Sequence, residues 1–225
     1  MRGVHMRYCR PFLAAVFAGI ALSAFSEPIR IAVCDFETVS DNPEKAVYGK
    51  GLPSMVLTDL SRSSRVQVVE RARIHDALAE QEFALSDLAD AKTAATVGNL
   101  ISAQYMLTGQ LFIAGGKLRI DLRMITVETA AILFAVEAEG QEADIFSLEH
   151  ELVSKVLAQL FPKASKETAA ATNAKGASVL EYSQAIQSLD ENQVGKAEAL
   201  LSQTAKHDAS FGYAQDLLDQ LIRNR

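Results

Sequence analysis

The sequence predicts an α/β (α+β) protein: a mixed sheet of about five strands with flanking helices, followed by a short C-terminal helical hairpin. Three observations predict it. Short β-branched runs alternate with helix-spaced apolar positions over residues 29–100. From residue 104 the apolar period changes to two across three consecutive segments. After residues 163–177, which hold almost nothing to bury, the helical period returns.

Taken in order, residues 29–36 are short, β-branched and apolar, as a buried strand should be. Residues 38–45 carry Ser, Asp, Asn and Pro and read as a polar loop. From Gly51 the apolar positions Leu52, Met55, Val56 and Leu60 fall on one helix face. Residues 61–65 break that helix, and 66–69 read as a second strand. Residues 70–83 predict a helix with Ile74, Ala77 and Leu78 facing inward, and an alanine-rich helix follows over about 87–100. Residues 104–113, 117–126 and 131–139 are then three successive strands. The Gly115-Gly116 pair predicts a hairpin between the first two. Leu118, Ile120, Leu122 and Met124 alternate with Arg119, Asp121 and Arg123, giving one buried and one solvated face. Ile145, Leu148, Leu152, Val156 and Leu160 mark a helix that could cover the sheet. Residues 178–189, 194–206 and 211–222 are short amphipathic helices. Tyr182, Ala185, Ala197, Leu201 and Phe211 give them the small/large alternation of close-packed antiparallel helices, and a groove for a partner segment is expected there.

The first 26 residues have the layout of a secretory signal peptide. Arg2, Arg7 and Arg10 precede an apolar run ending at Phe25, and Ala24 and Ser26 suit a cut before Glu27. The run is shorter than the ~20 apolar residues of a spanning helix. An uncleaved anchor is the alternative. Cleavage removes three arginines and no acid, so the net charge of −6 becomes −9 over 199 residues. It also removes Cys9 and leaves Cys34 alone, inside an apolar strand where a buried, inert thiol is expected. An acidic mature chain argues against sequence-independent nucleic-acid binding, which needs a basic face. No later stretch reaches membrane-spanning length, so the mature chain is expected to be exported, periplasmic and without a transmembrane segment.

An ordered set of motifs carries a family resemblance. It comprises I-A-V-C-D-F at 31–36, G-x-G-L at 49–52, V-V-E-R at 68–71 and I-x-x-x-L-x-E-Q at 74–81. It continues with V-G-x-x-x-x-A-x-Y-M-L-T-G at 97–109 and L-R-M-I-T-V-E-T-A at 122–130. Together residues 29–140 resemble the CsgG-like group, named for the curli secretion component, and the related TolB N-terminal domain. The resemblance implies an anticodon-binding-like, TolB-N-like fold over 27–162. It marks Asp35, Phe36, Gly51, Glu70, Arg71, Gly98, Tyr105, Gly109 and Thr126 as candidate interaction positions. The 178–225 segment resembles a tetratricopeptide-type repeat, with Ala185 and Ala197 twelve apart. The curli pore is a lipoprotein with membrane-inserting hairpins. This chain has no lipobox cysteine, and the connections at 113–117 and 127–131 are tight turns.

Three patterns approach a catalytic or binding motif and fall short. Gly49-Lys-Gly51-Leu-Pro-Ser54 has Ser where a phosphate-binding loop needs its third glycine; glycines freeing the chain at a helix entrance explain it as well. His150-Glu151 opens like a zinc-binding H-E-x-x-H, but Ser154 replaces the second histidine, and an exposed helix face explains it. Asp35, Glu37 and Ser40 end the first strand, where carboxylates could hold a hard cation or act as an acid/base pair; loop polarity is the alternative. His75, His150 and His207 have no evident partner. Glu70-Arg71 reads either as a subunit contact or as a helix-start pair in which Arg71 reaches a nearby carboxylate. No catalytic, metal or cofactor residue is therefore assigned. The expected function is a non-enzymatic periplasmic or outer-membrane-associated adaptor that binds envelope or secretion-machine proteins or itself. A ring-forming curli-type secretion component and a secreted hydrolase or surface protein are the alternatives.

Overall fold

A computed structural model describes residues 27–162 and 176–223. The expected signal peptide, Cys9 and most of the expected linker lie outside the described residues. The fold is α+β, built on a mixed six-stranded sheet in the order β3-β1-β4-β5-β6, with β2 also on β4. Strand β1 (Ile29–Val33) runs parallel to β3 (Val66–Val68) and to the first half of β4 (Tyr105–Ala114). β5 (Lys117–Thr126) and β6 (Ala131–Gln141) follow antiparallel, joined to β4 by the predicted hairpin at Gly115-Gly116. Both glycines have positive φ, as the two-residue turn requires.

One strand was not expected. Residues 37–40, read from sequence as mostly loop, form β2 (Glu37–Ser40) beside the far half of β4. Polar residues suit a strand here because β4 supplies the hydrogen-bond ladder. The predicted continuous strand 29–36 is instead interrupted. Val33 pairs with Leu107 and Glu37 with Gln110, so four steps on one side match three on the other. The extra residue makes a bulge at 34–36, which places Asp35 and Phe36 at the break.

Helix α1 (Tyr48–Ser61) begins three residues before its predicted start. Pro53, inside it, has no N–H to bond the Gly49 carbonyl four residues earlier. That carbonyl accepts the Phe36 N–H instead, at 2.8 Å, and ties the bulge to the helix. Helices α2 (Arg71–Glu80) and α3 (Ala91–Leu100) cover the opposite face of the sheet. α3 starts later than expected because Asp90 caps it, accepting from the backbone N–H groups of Lys92 and Thr93.

Helix α4 (Ile145–Leu160) joins α1 on the first face. Of the C-terminal helices, α5 (Gly176–Asp190) packs on α1 and touches α4, α6 (Val194–His207) packs on α5 and α7, and α7 (Gly212–Arg223) reaches α4 and α1 through Tyr213. Tyr182, Phe211 and Tyr213 meet Phe146 of α4 in one aromatic cluster with ring centres 5.4–6.3 Å apart. The helical segment therefore shares its core with the sheet-bearing part.

Candidate functional site

The bulge after β1 builds the first site. Asp35 is buried, and its carboxylate takes a two-pronged contact from Arg71, Nε to Oδ1 at 2.7 Å and a terminal nitrogen to Oδ2 at 2.8 Å. Arg71 is the first residue of α2 and also donates to Asp190 at the end of α5, which Lys50 of α1 reaches as well. His75, one turn along α2, lies 3.5 Å from Asp35. Burial by itself raises the Asp35 carboxyl, but contact with His75 and Arg71 outweighs it and holds the group at about 2. Both oxygens are engaged and the group stays ionised, so Asp35 pins the bulge to α2, and Arg71 carries the link on to Asp190 of α5.

The pairing of Asp35 with Glu37 that the spacing left open does not form. Glu37 is exposed on β2 and accepts from Gln110 at 2.7 Å. Beside Asp35 a cleft of about 450 Å³ is lined by Phe36, Lys50, His75, Leu78, Phe83 and Leu85. Of the Glu70-Arg71 pair, Arg71 takes the helix-start role of reaching nearby carboxylates, whereas Glu70 is exposed and caps nothing.

The remaining motif positions sit at close-packing points or strand ends. Gly51 lies inside α1, not at its entrance, where a methyl group would stand 1.8 Å from Ser183 Oγ of α5. Gly98 and Gly109 face Val127 and Leu122. Tyr105 and Thr126 pair with each other at the start of β4 and the end of β5, both half-buried. The five expected groove residues do not line a groove. Tyr182, Ala185, Ala197, Leu201 and Phe211 are all buried, because α5 packs on α1 while α6 packs on α5 and α7, which closes these faces against one another.

A second cluster was not foreseen. His150, expected on an exposed helix face, is buried with Asp59 of α1, Glu149 of α4 and Tyr213 of α7. The Tyr213 hydroxyl donates to Asp59 Oδ1 at 2.8 Å, and Arg62 stands 3.1 Å from the same oxygen. His150 Nε2 lies 3.2 Å from Asp59 Oδ2, 3.3 Å from the Tyr213 hydroxyl and 3.7 Å from Glu149 Oε2. Glu149 is wholly buried and neither of its oxygens has a hydrogen-bond partner. Burial first, then the neighbouring Asp59 charge, pushes its carboxyl well above the usual range. The signal was in the sequence: Glu149 falls on the Ile145, Leu152, Val156 stripe, and Asp59 follows Met55 by one turn.

Residues 13–113 match the family described as the curli production assembly/transport component CsgG. That span ends one residue before the end of β4, so β5 and β6 lie beyond it, whereas the motif resemblance extends to residue 140. A protein named putative adenylate cyclase 3 of Rhizobium meliloti (strain 1021) is 26% identical over 127 residues, 56% of this chain. The aligned part is only 20% of that protein's length. Among solved structures, lipoprotein GNA1162 of Neisseria meningitidis aligns over 61% of this chain and all of its own, at TM-score 0.46 and 14% identity. The LpoB C-terminal domain of Salmonella enterica aligns over 53% and 87%, at TM-score 0.44 and 13% identity. TolB of Acinetobacter baumannii aligns over 61% and 29%, at TM-score 0.40 and 17% identity.

Proposed function

We propose that this chain, whose residues 13–113 match the CsgG family, is a non-enzymatic, envelope-associated adaptor. It is exported and binds an envelope or secretion-machine protein through the free edge of its sheet. The family match supports the envelope association. One observation carries the binding mode. β6 is the terminal strand, eleven residues long, and seven of its residues are exposed. Ile132 and Leu133 are each 51% exposed. Natural edge strands of this length are blunted by lysine, proline or a covering element, because their unpaired backbone groups template pairing with another chain. β6 has neither lysine nor proline. A bulge at Leu133 and the donation of Lys155 of α4 to the Glu137 carbonyl interrupt its outer edge. The stretches on either side of that contact offer the ladder to a short extended partner segment.

The ring-forming reading needs membrane-spanning strands of ~9–11 residues. The β4–β5 connection has two residues and the β5–β6 connection four, so neither provides one. No helix among the described residues is long and apolar enough to cross a membrane. The test is crosslinking in a cell-envelope fraction with the native chain and an Ile132→Asp/Leu133→Asp variant. The native chain is expected to enrich one partner that the variant loses. Recovery of a free monomer, or the same partner with both chains, would overturn the reading.

A further inference from the structure

We propose that Asp59, Glu149 and His150 form a buried site for a divalent transition-metal ion, zinc being the closest chemical match, which clasps α1 to α4 beneath α7. One ligand atom from each of the three residues lies within 4.8 Å of the others. Zinc takes imidazole nitrogen and carboxylate oxygen at ~2.0–2.2 Å in tetrahedral sets, which separates neighbouring ligand atoms by about 3.4 Å. The separations at His150 Nε2, 3.2 Å to Asp59 Oδ2 and 3.7 Å to Glu149 Oε2, bracket that value. Calcium and magnesium prefer six or more oxygens, and a site with an imidazole among three donors does not suit them.

Glu149 supplies the independent reason to expect a ligand. It is fully buried on α4 with both oxygens unpartnered in hydrogen bonds, and Asp59 Oδ2 beside it is likewise unpartnered. A buried carboxylate without a donor is costly and is normally relieved by a proton or a cation. Here the free oxygens of two carboxylates converge on one imidazole nitrogen. The other Asp59 oxygen is held by Tyr213 and Arg62, the outer-shell support that orients a ligating carboxylate. Tyr213 also places its hydroxyl 3.3 Å from His150 Nε2, within reach of a fourth position.

The full chain, stripped with a chelator and titrated with Zn²⁺, is expected to bind one equivalent tightly. Its X-ray absorption spectrum is expected to contain one imidazole, the rest oxygen ligands, and no sulfur. Glu149→Gln, close to the native shape, and His150→Gln are each expected to weaken binding at least tenfold. His207→Gln, on an exposed pair with Glu181, retains the equivalent. Failure to hold zinc, sulfur in the coordination shell, or undiminished binding in Glu149→Gln would each overturn the proposal. If Glu149→Gln does not fold, the native chain's stoichiometry and absorption spectrum decide alone. Stabilisation by lowered pH without any zinc uptake would assign the cluster to a shared proton instead.

Discussion

At Asp35 two opposing effects meet. Desolvation favours the neutral acid, while His75 and the Arg71 fork favour the carboxylate, and the second influence wins. The folded group titrates at about 2, below its ordinary 3.8. A depressed folded value means that the stabilisation is complete above the unfolded pKa and is lost as pH falls through the folded one. The native chain is therefore expected to exceed Asp35→Asn in stability by a pH-dependent part of about 2 kcal/mol above pH ~4, shrinking toward pH ~2. Denaturant unfolding of both chains across that range measures it; a gap independent of pH would refute the assignment. Residue chemistry was only partly legible beforehand. Asp35 and Arg71 were visible as motif positions, but their mutual contact spans 36 residues and depends on the bulge. Glu149 carried a periodicity signal that its charge concealed, since acidic residues are seldom buried without partners.

Helix α1 illustrates what element-scale reading captures and misses. Its apolar spacing marked the correct inward face, yet Gly51 resembled an entrance residue when its role is contact with α5. A methyl group there would also stand 2.8 Å from the Ser183 backbone, which no rotamer change relieves. Gly51→Ala is expected to cost about 1–3 kcal/mol, as overpacking does, and to speed amide exchange in α5 more than in β4. Equal protection in both elements would contradict that packing. The β1–β2 interruption belongs to the same scale. Local propensity favours strand through Phe36 and loop afterwards, but pairing with β4 reverses both assignments. Pro53 contributes by leaving the Gly49 carbonyl open to Phe36, an effect readable only once the two segments are adjacent.

Across the whole molecule, the C-terminal helices cover α1 and α4, which lie on the first face of the sheet. Phe146, Leu52 and Met55 are buried in a core that includes Tyr182, Phe211 and Tyr213. A chain ending at residue 162 is expected to unfold at lower temperature and to bind a hydrophobic dye, because α1 and α4 lose their cover and Asp59 loses Tyr213. Thermal melting and dye fluorescence check this; an unchanged melt would indicate that the helices are an independent appendage. The sequence by itself determined the α+β class, the positions of the helices and most strands, and the CsgG resemblance. Those follow from local hydrophobic period and short motifs, which act over neighbouring residues. Only the tertiary structure decided the sixth strand, the inward turn of the expected groove, and the meeting of Asp59, Glu149, His150 and Tyr213. Each of these depends on contacts between segments up to 154 residues apart, and no local pattern encodes which distant face will cover a helix.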